Sequence, residues 1–191
     1  MTGDQLQRVI ARLNGHSQVK AFEAAKLIWN DTDVRLECPL IRTLKQGTRP
    51  FNRAAAAYAM GVMLLRPKVV AALEQAVNDL SENPRVRGYA AEALHLNHRK
   101  KSHDVLLKNL TDTSKQVRFW CAYTLGQMAE HRAIPALERL SVSDNRVVTG
   151  YHSVAKEAAD ALQEIKANKA HRRKQGCASC IENDCQSRSC C

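Results

Sequence analysis

The chain has 191 residues, a length typical of one domain, and its formal net charge is +10. Hydrophobic residues make up 45% of the chain but aromatic residues only 5%, which favours a core of Ala, Leu and Val in closely packed helices over a β-sheet. The longest apolar stretch, residues 54–65, is too short to span a bilayer, and residues 1–13 lack the charged and apolar blocks of a secretory signal. We therefore expect a cytoplasmic protein with no transmembrane segment.

The first predicted element is an amphipathic helix that caps the N-terminal end of the fold. Four apolar residues recur at the i, i+3, i+4 and i+7 spacing of one helix face, namely Leu6, Val9, Ile10 and Leu13. Gly15 follows them as a helix stop signal. We assign residues 1–16 to this capping helix.

A pair of small residues then returns five times, as Ala24-Ala25, Ala56-Ala57, Ala90-Ala91, Cys121-Ala122 and Ala158-Ala159. The successive spacings of 32, 34, 31 and 37 residues are those of a helical repeat, so we assign residues 17–170 to an array of about five helical hairpins. In each hairpin the first helix carries the small pair, which lets neighbouring helices approach closely, and the second helix is rich in leucine. Because a single hairpin cannot bury its own apolar face, the hairpins must stack on one another.

Glycine and proline mark the ends of these predicted helices. Gly61 and Gly126 occupy equivalent positions near the ends of two first helices, where a residue without a side chain can end the helix or admit a close neighbour. Pro39, Pro67 and Pro135 lie near the starts of second helices, where the missing amide proton is harmless.

The phrase Val86-Arg87-x-x-Ala90-Ala91-x-Ala93-Leu94, followed by a leucine-rich second helix, resembles the HEAT-like repeats of the class first named from phycobilisome lyases. The likeness covers residues 17–165 and implies an all-α fold, a right-handed α-solenoid whose first helices form the outer face and whose second helices line the concave one. It also implies that Arg53, Arg87 and Arg118 each bind an acidic or amide group between repeats. The candidates before Arg87 and Arg118 are Asn83 and Asp112.

The repeats do not explain the C-terminal tail, residues 171–191, which is basic and rich in cysteine. Its cysteines form the pattern C-x2-C-x4-C-x4-C-C, at Cys177, Cys180, Cys185, Cys190 and Cys191. Two thiolates at i and i+3 can bind one metal ion and two more can complete a tetrahedral site, which suits zinc or an iron–sulfur cluster. Three other interpretations stay open: a redox-active or disulfide-forming tail, a mobile extension without settled structure, and prenylation of the terminal Cys-Cys.

Two further groups of potential ligands lie within the array. Three histidines near the turn of the third hairpin could bind zinc: His95, His98 and His103. The positive charges at residues 99–101 oppose a metal cation there and favour a polar turn instead. Cys38 and Cys121 occupy apolar repeat positions, so we expect both to be buried thiols that pack as small hydrophobic groups.

Aromatic residues fill variable positions just before two of the small pairs. Tyr89 in the third hairpin and Phe119 with Trp120 in the fourth should lie one repeat apart on one surface. They could form a binding hot spot for a partner, or they could close a wide groove between repeats as part of the core. The longest repeat spacing comes from an insertion at residues 144–153, which could be a binding loop or a loose connection.

No catalytic motif accompanies the array, since the sequence contains no nucleophile elbow, phosphate loop or metalloprotease helix, and we expect no enzyme activity. The leading hypothesis is a scaffold or adaptor that binds a protein partner through the polar concave row of its second helices. The contributing residues would be Arg42, Lys45, Asn78, Lys108, Glu138 and Arg139. The alternatives are a metal-binding or redox-responsive module that uses the C-terminal cysteines, and nucleic-acid binding through the basic surface.

Overall fold

The computed structural model describes residues 1–28, 33–61, 66–95 and 100–182, with side-chain positions up to residue 168. Within these ranges the fold is all-α without a β-strand, which confirms the predicted fold class at that level. The α-helices are α1 (Gly3–Leu13), α2 (Gln18–Leu27), α3 (Glu37–Gln46), α4 (Pro50–Met60), α5 (Pro67–Asn78), α6 (Pro84–Glu92), α7 (Lys100–Asn109), α8 (Lys115–Gln127), α9 (Ile134–Ser143) and α10 (Val154–Glu182).

Helix α1 packs against α2 at the N-terminal end of the fold. It begins with a capping box, because the Thr2 hydroxyl accepts a hydrogen bond from the Gln5 amide and the Gln5 side chain accepts one from the Thr2 amide. Val9 and Leu13 are buried. The apolar face seen in the sequence is thus the face that this helix turns towards the core.

The remaining helices form two rows that differ in how closely they pack. Successive helices in the row α2, α4, α6, α8 and α10 pack tightly against each other, whereas successive helices in the row α3, α5, α7 and α9 contact each other less. In a curved array of hairpins the more closely spaced row lies on the concave side. We therefore call the first of these rows the inner row and the second the outer row.

This arrangement corrects the expectation that the second helices of the hairpins line the concave surface. The small pairs belong to the first helices, and all of their residues are fully buried except Ala159, which is partly exposed. Small side chains let those helices approach most closely, so the array curves towards them. The six second-helix residues proposed to bind a partner therefore lie on the outer row.

Two glycines of the inner row allow the closest of these approaches. A Cβ atom at Gly61 would lie 2.9 Å from the Ala93 Cα, and one at Gly126 would lie 2.8 Å from the Ala161 Cα. The sequence suggested that these glycines either end their helices or admit a close neighbour. Both of them admit a close neighbour. Only Gly61 also follows directly after the last residue of its helix, since α8 continues past Gly126 to Gln127.

The two cysteines predicted to be buried differ in the structure. Cys121 is fully buried in α8, and this burial raises the pKa of its thiol. Cys38 is exposed near the start of α3, so its predicted burial was wrong. The apolar positions of α3 that face the core are instead taken by Leu40 and Leu44, while Cys38 lies on the solvent side of the outer row.

The insertion at residues 144–153 is held by backbone hydrogen bonds. The Val148 amide donates to the His152 carbonyl over 3.1 Å, and the Tyr151 amide donates to the Val148 carbonyl over 2.9 Å. Gly150 turns the chain with a φ of 84°, a left-handed conformation that glycine adopts without steric cost. The insertion thus has a defined path that places Tyr151 against the inner row.

Candidate partner-binding surfaces

The outer row presents all six residues that the sequence analysis selected for partner binding. Each of them is exposed, on α3 (Arg42, Lys45), α5 (Asn78), α7 (Lys108) and α9 (Glu138, Arg139). Asn78 accepts a hydrogen bond from the Asn109 side chain over 3.1 Å, which ties α5 to α7. In the part of the chain that the structure describes, none of the five charged residues makes an ion pair, so their charges are available to a ligand.

Two more cations that pair with no described residue extend this surface, and neither was predicted from the sequence. Lys68 on α5 and Lys100 on α7 are exposed and form no ion pair with a described residue. Lys68 also borders a groove of about 480 Å³ between α3 and α5, together with Ile41, Arg42, Lys45 and Gln75. We call the exposed side chains of α3, α5, α7 and α9 the outer surface.

The inner row carries a continuous series of aromatic rings, which we call the aromatic row. The ring centroids lie 5.9 Å apart for Phe22 and Tyr58, 5.8 Å for Tyr58 and Tyr89, 6.1 Å for Tyr89 and Trp120, and 5.1 Å for Trp120 and Tyr151. Distances of this size are those of favourable ring–ring contacts. The row therefore links the first hairpin to the insertion before α10.

The three aromatic residues selected from the sequence take different places in this row. Phe119 is 2% exposed and Trp120 is 6% exposed, so both belong mainly to the core. Tyr89 is half-buried, and its ring stacks on Trp120 as the spacing of one repeat predicts. Phe22, Tyr58 and Tyr151 were missed. Phe22 holds the same repeat position as Phe119, but Tyr58 follows its small pair and Tyr151 lies in the insertion, so their contacts exist only in three dimensions.

A half-buried carboxylate lies on the same face of the inner row. Glu92 follows Tyr89 by nearly one helical turn in α6, and its Oε2 atom is buried without a hydrogen-bond partner among the described residues. Burial raises the pKa of Glu92 to about 7. Burial and then the charge of Glu92 raise the pKa values of Tyr58 and Tyr123.

Three arginines join the hairpins. The resemblance implied partners in the loop just before Arg87 and just before Arg118, but the carboxylates that bind them lie in the loop before the next hairpin. Their closest contacts with carboxylates are Arg53 Nε to Glu82 at 2.6 Å, Arg87 Nη2 to Asp112 at 2.5 Å and Arg118 Nε to Asp144 at 2.7 Å. Asp112 was expected to bind Arg118 through its side chain, but only its backbone carbonyl does so. Asn83 instead caps α6 by accepting a hydrogen bond from the Arg85 amide.

Two of the three histidines considered as possible zinc ligands are described, and each contacts a different group. His95 Nδ1 lies 3.0 Å from the Glu92 carbonyl, whereas His103 Nδ1 contacts the Glu130 carboxylate. No group of three or more potential metal ligands occurs among the described side chains. His98 and Trp29 lie outside the described residues.

The cysteine tail also lies outside the described side chains. Helix α10 continues to Glu182 and so crosses the predicted boundary at residue 170, but the side chains of Cys177 and Cys180 within it are not described. Cys185, Cys190 and Cys191 follow the last described residue. A metal site, a redox function or lipidation at these cysteines stays a prediction.

Comparison with known proteins supports the repeat architecture. Residues 70–151 match the family model of HEAT repeats. A search of curated proteins finds no match to the chain. Among the helices described here, none combines the length and the apolar character needed to cross a membrane. Together with the two rows of stacked helices and the arginines that join successive hairpins, this match shows that residues 70–151 form HEAT-like repeats.

Proposed function

We propose that the protein is a non-catalytic adaptor that binds a protein partner through its outer surface. The observation that carries this proposal is the series of exposed charges on α3, α5, α7 and α9 that form no ion pair with any described residue. HEAT repeats commonly serve as scaffolds for protein interactions, because stacked hairpins expose a long and regular face. The expected binding surface thus contains the six residues predicted from the sequence, but it lies on the outer row and not on the concave side.

The charge of this surface defines the chemistry of the partner. The unpaired cations are Arg42, Lys45, Lys68, Lys100, Lys108 and Arg139, and Glu138 is the opposing charge of the predicted set. A surface of this kind complements an acidic protein surface, which would raise the association rate and fix the orientation of the complex. An acidic protein is therefore the partner we expect.

Affinity purification followed by crosslinking of the tagged full-length protein tests this proposal. We expect a stoichiometric partner whose crosslinks map to α3 and α7, and whose purified form binds about tenfold more weakly to the variant Arg42→Glu/Lys45→Glu. The matched control is Lys20→Glu on α2, because Lys20 is an exposed, unpaired cation of the inner row.

Three results would contradict the proposal. An equal loss of affinity in the Lys20→Glu control would show a general charge effect, and turnover by the isolated chain would show an enzyme. Tight binding of a DNA oligonucleotide, with an affinity that falls steeply as salt rises, would identify a nucleic-acid ligand instead.

A further inference from the structure

Glu92 of α6 directly follows its small pair, which is the repeat position that Tyr58 of α4 and Tyr123 of α8 hold in the neighbouring hairpins. Tyr58 of α4 meets Tyr89 of α6 edge to face at 5.8 Å, and Trp120 of α8 meets Tyr123 of the same helix edge to face at 5.6 Å. The tyrosines Tyr58, Tyr89 and Tyr123 are half-buried, so part of each ring reaches solvent. Because α6 packs between α4 and α8, the carboxylate and these rings lie on the same side of the inner row, in an area that we call the inner pocket.

Within the inner pocket, the carboxylate of Glu92 lacks the partner that a buried charge normally has. A carboxylate taken out of water loses its hydration, and proteins usually compensate with an ion pair or hydrogen bonds. The described residues supply neither to Glu92 Oε2. A positive group brought by another molecule would supply both charge and hydrogen-bond donors.

The surrounding rings select an organic cation over a metal ion. The face of an aromatic ring attracts an ammonium or guanidinium group within about 6 Å of its centroid. The protein already uses this interaction next to the pocket, where the Arg85 guanidinium carbon lies 5.3 Å from the Phe22 centroid and 5.8 Å from that of Tyr89. Divalent metal ions prefer several oxygen ligands, and no cluster of three such residues exists among the described side chains.

We infer that the inner pocket binds a lysine or arginine side chain of a basic peptide segment, held between Tyr58, Tyr89 and Tyr123 with its charge on Glu92. This ligand would occupy the inner row, so the inference concerns a second surface and does not depend on the outer surface proposed above.

An adjoining groove explains why the ligand is a peptide and not a single small cation. The groove has a volume of about 550 Å³ and lies between α8 and α10, where Tyr123, Gln127, Glu157, Asp160 and Glu164 line it. Glu157 lies 2.9 Å from His152 Nε2, and Asp160 contacts Lys156, but Glu164 has no ion pair with a described residue. The acidic lining would accept further basic residues of the same peptide, even though the net charge of the whole chain is positive.

Fluorescence anisotropy with the full-length protein tests the inference. The probe is a labelled peptide of alternating lysine and alanine, and its counterpart has glutamate in place of lysine. We expect the lysine peptide to bind at physiological ionic strength and the glutamate peptide not to bind. Glu92→Gln should weaken binding of the lysine peptide at least about tenfold, because it keeps the shape of the side chain but removes its charge.

Two control variants separate this site from general charge effects. Glu138→Gln removes an exposed acidic charge of the outer surface and should leave the affinity for the lysine peptide unchanged. Tyr89→Phe keeps the ring and should retain most of the affinity, whereas Tyr89→Leu should lower it. Circular dichroism and thermal melting of each variant report whether the fold is intact.

The pH dependence gives a readout that a purely structural role of Glu92 would not change. A carboxylate with a pKa of about 7 is anionic above that pH and neutral below it, so affinity should fall between about pH 8 and pH 6. The charged or titratable groups on the surrounding elements are Tyr58 on α4, Arg85 and Tyr89 on α6, His95 after α6, Tyr123 on α8, Glu157, Asp160 and Glu164 on α10, and Tyr151 and His152 in the insertion. Glu92→Gln should flatten the profile, which separates the titration of Glu92 from that of these groups.

Binding of the lysine peptide that is equally tight in wild type and Glu92→Gln would overturn the inference, as would equal binding of the glutamate peptide. Failure of the lysine peptide to bind wild-type protein would also overturn it. None of these results bears on the adaptor proposal, since the Arg42→Glu/Lys45→Glu variant tests the opposite surface.

Discussion

Three arginines of the inner row connect each hairpin to the loop that precedes the next one. The side chains of Arg87 and Arg118 are 3% and 5% exposed, so their charges are almost entirely removed from water. Such charges are tolerated only when an opposite charge and hydrogen bonds replace the lost hydration. Asp112 and Asp144 supply that charge. Asp112 also accepts a hydrogen bond from the Ser114 amide, and Asp144 accepts one from Arg146 Nε.

The pair of Arg118 and Asp144 gives a prediction for single residues. Asp144→Asn keeps the shape of the side chain but leaves the Arg118 guanidinium buried without a counter-charge. We expect a loss of about 3–5 kcal/mol in the free energy of unfolding, measured by urea denaturation. Arg146 also binds Asp144 but is 61% exposed, so the control Arg146→Ala should cost less than about 1 kcal/mol.

The effect of Asp144→Asn should depend on pH in a defined direction. Burial raises the pKa of Asp144, but hydrogen bonds from Arg146 and Arg118 outweigh this and lower it below 3.8. The ionised carboxylate therefore stabilises the folded state above pH 3.8, and this contribution is lost as the pH falls through the lowered value. The stability difference between wild type and Asp144→Asn should shrink under acid; a constant difference would contradict the ion pair as its cause.

Helix packing along the inner row depends on residues with little or no side chain. At Gly126 the backbone of α8 approaches Ala161 of α10 so closely that a Cβ atom would lie 2.8 Å from the Ala161 Cα. The same principle applies to the fully buried alanine pairs, where each extra methyl group would separate two hairpins. The curvature of the array is thus set by the size of the side chains between inner-row helices.

Gly126→Ala tests this packing at the level of one helix contact. In a free helix the change would stabilise by about 0.5–1 kcal/mol, because alanine favours helix. Here the new methyl group meets backbone that cannot rotate away, and overpacking of this kind costs about 1–3 kcal/mol. We expect a net loss of stability in thermal and urea unfolding. Gly3→Ala in α1, where no atom lies within 4 Å of the added Cβ, should show no loss.

At the scale of the whole molecule, the two rows present surfaces of different chemistry. The outer surface carries unpaired lysine and arginine residues, whereas the inner row carries aromatic rings and carboxylates. An array with two such faces can hold an acidic protein on one side and a basic peptide on the other. That arrangement agrees with an adaptor, which must bind more than one molecule without reacting with either.

The cysteine tail adds a prediction that concerns the whole chain. If Cys177, Cys180, Cys185 and Cys190 bind a metal, anaerobically purified protein should contain about one ion per chain, and a variant ending at Gly176 should contain none. Each hairpin of an array contacts mainly its neighbours, so this truncation should leave the unfolding midpoint of the repeat array, residues 17–165, nearly unchanged. Full-length protein without metal would exclude the metal site.

The sequence by itself determined the repeat and the chemistry of the hairpin contacts. The recurring small pairs predicted the first helices of the hairpins and their close packing, although the resemblance placed these helices on the outer face. The polar residues of the second helices were likewise selected from the sequence. Both depend on local spacing, which a sequence displays directly. The equivalent positions of Tyr89 and Trp120 likewise predicted that both lie on one surface, because one repeat translates into one step along the array.

The tertiary structure decided which row is concave, which loop each arginine reaches and what surrounds Glu92. These features depend on the small rotation between hairpins and on contacts between different repeat positions, such as Tyr58 with Tyr89 and Trp120 with Tyr151. A rotation of this kind has no signature in residue spacing, since it results from the combined sizes of side chains in many interfaces. Glu92 therefore reads as an ordinary surface glutamate in the sequence, and only the folded array shows that its carboxylate is half-buried among aromatic rings without a partner in the described part of the chain.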